Sequence, residues 1–157
     1  MEIEKKYLIT LPMNEITKYP HINIEQGYIS TNPVIRIRKT DETCYLTYKS
    51  SGLMIREEFE EKISNQQYDH LKTKIDFNPI TKQRYLIPLD NSLTVELDVF
   101  SGKLKGLIVA EVEFPSKEVA NNFKPPSWFI QEVTCNPQFQ NSNLCKETNI
   151  DFLNIIK

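Results

Sequence analysis

Residues 94–114 read Thr-Val-Glu-Leu-Asp-Val-Phe-Ser-Gly-Lys-Leu-Lys-Gly-Leu-Ile-Val-Ala-Glu-Val-Glu-Phe. Glu96 and Asp98 alternate with Val95, Leu97 and Val99, and Glu111 and Glu113 alternate with Ala110, Val112 and Phe114. Between them, Ser101 to Gly106 is a turn-forming stretch, in which Lys103 and Lys105 read as a solvated hairpin. Successive side chains of a strand point to opposite sides of the sheet, so this period-two pattern predicts two strands, each with an acidic face and an apolar face.

The pattern recurs in both directions along the chain. Glu2, Glu4 and Lys6 alternate with Ile3, Lys5 and Tyr7, and Arg36 and Arg38 with Ile35 and Ile37. Lys49 ends a β-prone run; Arg56, Glu58 and Glu60 flank Glu57 and Phe59; Lys82 and Arg84 precede Tyr85, Leu86 and Ile87. About eight such strands fall within the first 115 residues, separated by turn residues at 30–33, 39–42, 50–52 and 88–92. Short strands with tight connections predict an antiparallel barrel or sandwich rather than a parallel sheet.

Helices are fewer. Ser64-Asn65-Gln66-Gln67 is a capping box, followed by Tyr68, Leu71 and Ile75 on one helical face. Shorter helices are expected over 13–18, bounded by Pro12 and Pro20, and after Ser116, ending at Pro125 and Pro126. A terminal helix is expected over 143–157, with Leu144, Leu153 and Ile156 apolar. Trp128 and Phe129 read as packing anchors on the outside of the sheet, His70 as an exposed helix residue and His21 as a loop residue.

Composition narrows the chemistry. The 157 residues suit a single domain, 1–157, with 39% hydrophobic and 25% charged residues, which argues against disorder. No apolar run approaches the ~18 residues of a membrane span, and the N-terminus lacks signal-peptide anatomy, so a soluble cytoplasmic protein is expected. A net charge of -2 argues against a basic nucleic-acid binder. Cys44, Cys135 and Cys145 have neither zinc-site spacing nor a disulfide framework. Two histidines in unrelated contexts make a histidine metal site or a Ser–His–Asp triad a poor expectation. Four glycines without a phosphate-loop arrangement exclude Gly-rich phosphate cradles.

Carboxylates, arginines and lysines remain. An ordinary sheet would carry them on its solvent face. Two features oppose that: the rows are almost purely long ionisable groups, and they are sorted by strand, with four acidic rows and separate basic ones. Like charges at i and i+2 share a face about 7 Å apart and repel unless opposite charge lies between them. A divalent cation supplies it for the acidic rows and a polyanion for the basic rows. Oxygen donors without His or Cys favour magnesium or manganese over zinc.

With these rows in place, the chain resembles the CYTH superfamily, the triphosphate tunnel metalloenzymes, and in particular its small bacterial members. Glu2-Ile3-Glu4-Lys5-Lys6 is similar to the family's E-x-E-x-K signature. An R-x-R pair, a lysine strand, R-x-E-x-E, a basic strand, E-x-D and E-x-E follow in the family's order, and residues 123–144 resemble the tail of the small members. The resemblance implies a mainly β (α+β) fold: an eight-stranded antiparallel barrel with a charged lumen and helices outside. Ile3, Tyr7, Ile35, Ile37, Leu97, Val99, Val112 and Phe114 would then pack beneath the helices.

The function the resemblance implies is metal-dependent hydrolysis of a linear triphosphate, above all inorganic tripolyphosphate. Lys6, Arg36, Arg38, Lys49, Arg56, Lys82 and Arg84 would bind the phosphates, with arginine's fork and lysine's point charge. Glu2, Glu4, Glu58, Glu60, Glu96, Asp98, Glu111 and Glu113 would hold one or two ions of Mg2+ or Mn2+, which bridge substrate oxygens and activate the water. Glu2 or Glu4 would orient that water, and Tyr28 is expected near the tunnel mouth. The expected partner is a small triphosphate, with no membrane and no nucleic acid; a homodimer stays open. The alternatives are a class IV-type adenylate cyclase, whose His-Phe element has no room before Glu2, a thiamine or RNA 5'-triphosphatase, and a non-catalytic polyphosphate-binding module.

Overall fold

The structure, a computed structural model, describes residues 1–153. In chain order its elements are β1 (Glu2–Ile9), α1 (Met13–Ile16), β2 (His21–Thr31), β3 (Val34–Thr40), β4 (Thr43–Lys49), β5 (Ile55–Arg56), β6 (Glu58–Ile63), α2 (Asn65–Lys72), β7 (Asp76–Pro88), β8 (Thr94–Phe100), β9 (Ile108–Glu113), α3 (Lys117–Asn121), β10 (Phe129–Glu132) and α4 (Asn141–Leu144). The strands form one antiparallel sheet in the order β10-β1-β9-β8-β7-β2-β3-β4-β6. Short β5 crosses to β1, pairing Glu2 with Arg56 and Ile3 with Ile55, so the eight long strands curl into a nearly closed barrel.

The Arg56–Glu60 run was expected to be continuous. It breaks at Glu57 because β5 must reach β1 while β6 pairs β4. Ser50 secures the bend: its N–H donates to the Glu57 carbonyl at 2.9 Å, and its hydroxyl accepts from the Glu57 N–H at 2.8 Å. The alternation did not single out β2, where polar and apolar residues share faces and two register shifts interrupt the pairing. His21 opens that strand instead of lying in a loop, with its ring 5.0 Å from that of Tyr85.

The helices cover the outside. Ser64 and Gln67 form the reciprocal capping box of α2, whose Tyr68 packs with Ile37 and Cys44 over β3 and β4. Ser116 caps α3, and Ala120 of α3 and Ile16 of α1 pack on Ile3, Tyr7, Leu97, Val112 and Phe114 from the outer faces of β1, β8 and β9. Phe129 anchors β10 on Tyr7, with ring centroids 4.6 Å apart. The charged faces are thereby turned inward.

The helix expected over 143–157 is not continuous among the described residues: α4 spans Asn141–Leu144 and is followed by turns and bends through Phe152, and residues 154–157 lie outside the described residues. Short polar side chains compete for the backbone there: the Asn149 carboxamide oxygen accepts the Asp151 N–H at 2.9 Å. Turning also brings Ile150, Phe152 and Leu153 onto the cluster around Phe139. Ile156 lies outside the described residues.

That cluster forms one end of the barrel. Leu8, Phe100 and Val109 lie two residues beyond Lys6, Asp98 and Glu111, on the same inward faces, and pack with Phe139, Leu144 and Phe152 of the C-terminal segment. The lumen is therefore apolar at one end and charged at the other.

Candidate active site

The charged end encloses a cavity of about 440 Å³. Glu2, Glu4, Glu58, Glu60, Glu96, Glu111 and Glu113 line it together with Lys6, Arg36, Arg38, Lys49, Arg56 and Arg84. Gln140, Asn141 and Ser142 contribute one wall, and among the described residues the apolar side chains that reach it are those of Met1, Val34 and the ring of Tyr28. The strand register assembles the acidic wall: Glu4 lies opposite Glu113, Lys6 opposite Glu111, and Glu96 opposite Glu111 on the next pair.

Most of the cations face a carboxylate. Lys49 Nζ donates to Glu2 at 2.9 and 3.2 Å, and Arg56 Nε lies 3.8 Å from the same carboxylate. Arg84 reaches Glu96 at 2.7 Å and Glu111 at 3.5 Å, and Lys6 lies 3.7 Å from Glu111. Arg36 donates to Thr47 Oγ1 at 3.2 Å and lies 3.8 Å from Glu60, which accepts the Thr47 hydroxyl at 3.0 Å. Even so, the buried Nε atoms of Arg36 and Arg56 have no hydrogen-bond acceptor. Unused donors inside a closed wall are costly in isolation and fit an anion that supplies the missing oxygens.

Lys82 and Asp98 were expected among the lining groups, and they are not. Lys82 Nζ bonds Asp98 Oδ2 at 2.7 Å and Asn141 Oδ1 at 3.1 Å, and Arg84 grips both oxygens of Asp98 at 2.8 and 3.0 Å. Both Lys82 and Asp98 are fully buried at the boundary with the apolar end, where Lys82 stands 5.3 Å from the Phe100 ring centroid. Their positions on the strand face are inward as predicted, but they lie too deep and are engaged with each other. Tyr28 likewise lies deep, packed into the apolar cluster, and not at the mouth.

The electrostatics divide the acidic groups. Burial opposes ionisation of Glu111, but Lys6, Arg84 and Lys82 pull its carboxyl well below the usual range, and Arg84 and Lys82 do the same for Asp98. Glu4 is different. Burial and the neighbouring Glu111 and Glu2 raise its carboxyl against the pull of Lys6 and Lys49. Burial also raises Glu113, aided by Glu2, Glu96 and Glu4, and raises Glu96 against the pull of Arg84. The rim formed by Glu4, Glu96 and Glu113 thus carries crowded negative charge on oxygen donors alone, which fits a hard divalent cation. Among the described residues no three carboxylates are gathered closely enough to coordinate one, because Glu2, Glu96 and Glu111 are turned to lysine and arginine.

Several site residues escaped the sequence reading. Gln26, fully buried, accepts Arg38 Nε at 2.8 Å; Thr47 links Arg36 to Glu60; and residues 140–142 close a wall. Gln26 and Thr47 each stand two residues before an inward-facing position, Tyr28 and Lys49, which is the signal that could have found them.

No family model matches the chain. A curated inorganic triphosphatase of Nitrosomonas europaea is 36% identical over 147 residues, covering 91% of this chain and 95% of that protein. One from Acetivibrio thermocellus is 32% identical over 155 residues, covering 96% and 97%. A crystal structure of an inorganic triphosphatase superposes with a TM-score of 0.69 at 33% identity, covering 95% of this chain and 97% of that one. Full-length similarity, the barrel order and the inward charge rows agree, and the chain belongs to the CYTH superfamily, the triphosphate tunnel enzymes.

Proposed function

We propose that the protein hydrolyses inorganic tripolyphosphate to diphosphate and phosphate with the help of a divalent cation, Mg2+ or Mn2+. The observation that carries this reading is the cavity wall: six cations and seven carboxylates around about 440 Å³, against which Met1, Val34 and the ring of Tyr28 offer little apolar surface for a nucleobase or a thiamine ring. A bare triphosphate satisfies such a wall, whereas the base of ATP would lie against charge. The predominance of charge over apolar lining also weighs against the cyclase reading.

Arg36, Arg38 and Arg56, with donors not used by protein acceptors, are the primary phosphate ligands, and Lys6, Lys49 and Arg84 join as phosphate oxygens replace their carboxylates. Glu2, Glu4, Glu58, Glu60, Glu96, Glu111 and Glu113 are the residues able to hold the cation; Asp98 is excluded by its pairing with Lys82 and Arg84. When bound, the cation supplies charge neutralisation and Lewis acidity toward phosphoryl oxygen. Glu4, free of the lysine and arginine contacts that hold Glu2, orients the water: a carboxylate oxygen accepts its proton as the water oxygen bonds to the terminal phosphorus. The bond from that phosphorus to the bridging oxygen breaks, and diphosphate leaves with the electron pair, neutralised by the arginine wall. The site of action is the cytoplasm, which three unpaired cysteines fit, and no described helix is long and apolar enough to cross a membrane.

Phosphate release measured over tripolyphosphate, ATP, GTP and thiamine triphosphate, each with Mg2+ and Mn2+, tests the reading. Tripolyphosphate should give the highest kcat/KM. Faster turnover of any of the other three would overturn the choice of substrate, and no turnover of any would overturn the hydrolase.

A further inference from the structure

Arg38 stands apart from the other six cations singled out along the inward rows. Of these seven, Arg38 alone has no carboxylate among the described residues within 4.0 Å, the limit at which the other six are paired. Its one side-chain hydrogen bond is from Nε to the carboxamide oxygen of Gln26, at 2.8 Å. The two residues are cross-strand partners in the β2–β3 register, so both side chains project into the lumen side by side. Gln26 Nε2 donates to the Tyr28 hydroxyl at 3.4 Å, which turns the carboxamide oxygen, and not its nitrogen, toward Arg38.

We propose that Gln26 is a positioning residue that aims Arg38 at the substrate while leaving its charge uncompensated. The inference rests on the triphosphate reading above and names a determinant of substrate binding within that site. Holding Nε leaves both terminal nitrogens of the guanidinium directed at the cavity, the fork that grips two phosphate oxygens at once. The neutrality of the acceptor is the second half of the argument. A carboxylate at this position would make a stronger bond to Arg38, and the barrel uses carboxylates beside each of the other six cations. Here it uses an amide, which accepts the bond and leaves the full positive charge. Arg38 also stands beside Arg36 and Arg84, and burial together with those two guanidiniums brings its own down to about 9. Carboxylates pair with Arg36 and Arg84 but not with Arg38, so an incoming polyanion is what neutralises this third guanidinium.

Gln26→Glu separates positioning from mere packing. It has nearly the same shape and keeps an acceptor toward Arg38, so a purely structural role would be preserved or improved. If Gln26 instead preserves the charge of Arg38, the variant should raise KM for tripolyphosphate at least about tenfold, with a smaller loss in kcat and an undiminished melting temperature. Gln26→Met, which removes the acceptor but not the charge, should raise KM less than Gln26→Glu does. In an Arg38→Ala background, Gln26→Glu should add no further loss, since the two act through one contact. Direct calorimetry of tripolyphosphate binding to the wild-type and variant proteins completes the test. Unchanged affinity in folded Gln26→Glu, or a full additive loss in the double variant, would overturn this inference alone. Failure of the wild-type protein to bind tripolyphosphate would overturn the proposed function and this inference with it.

Discussion

At the residue scale, Glu4 of β1 and Asp98 of β8 illustrate how the inward acidic rows yield groups of opposite behaviour. Glu4 is buried without a hydrogen-bonded cation, and burial with Glu111 and Glu2 raises its carboxyl above the usual range. A raised folded-state value means the folded protein binds this proton more tightly than the unfolded chain does. Ionised Glu4 therefore costs stability at neutral pH, and that cost disappears as pH falls through the raised value. Glu4→Gln should accordingly lower kcat by about 10²-fold or more, near 3 kcal/mol of transition-state stabilisation, while leaving the melting temperature equal or higher. Steady-state kinetics and a thermal melt read both, and wild-type turnover in the variant would remove Glu4 from catalysis. Asp98 should behave in the reverse way. Burial brings the Lys82 ammonium down to about 7 even with Asp98 beside it. Asp98→Asn lowers it further, so the folded variant holds a neutral lysine where the unfolded chain keeps a charged one. The destabilisation, about 3–5 kcal/mol when the ammonium is stranded, should be greatest in acid and shrink as pH rises from the variant's lowered value toward the wild-type value of about 7. Denaturant melts across that window check the sign.

At the element scale, the C-terminal segment does what no strand does: it closes the lumen. Phe139 and Leu144 fill the apolar end, the Phe139 carbonyl accepts Lys6 Nζ at 3.3 Å, and Asn141 accepts Lys82 Nζ at 3.1 Å. Phe139→Ala should destabilise the fold by about 3–5 kcal/mol through the cavity it leaves. Because the same segment supports Lys6, a cavity-lining phosphate ligand, KM for tripolyphosphate should rise in parallel. A loss of stability with unchanged KM would show that the floor and the charged chamber are energetically separate.

At the scale of the whole molecule, the barrel holds like charges together that would separate in an open sheet. Ligands of opposite sign should therefore stabilise it. Tripolyphosphate with Mg2+ at about 100 times its dissociation constant should add about 2.7 kcal/mol of stability by mass action, read as a higher melting temperature. EDTA should abolish turnover and leave the apo melting transition intact, because the hydrophobic clusters outside the lumen, not the cation, hold the strands together. Turnover persisting after exhaustive metal removal would exclude the cation's role.

What the sequence determined by itself was local: the strand faces at Glu2 to Lys6, Arg36 to Arg38, Glu96 to Asp98 and Glu111 to Glu113, the capping box at Ser64, and the turns. Each of these follows from side-chain alternation or from a hydrogen bond within four residues. The sorting of charge by strand, together with the family resemblance, also made the inward direction of the charges legible. Only the tertiary structure decided depth along the lumen. Period two says which side of a strand a residue faces but not how far along the barrel it stands, so Lys82 and Asp98 could not be distinguished from Arg84 and Glu96. The same limit hid Gln26, whose neighbour Arg38 is twelve residues away in sequence and becomes adjacent only through the β2–β3 register. It also hid the floor, which joins Leu8 of the first strand to Phe139 and Phe152 near the other end of the chain. Contacts of that span are set by the closure of the barrel, and no local pattern encodes them.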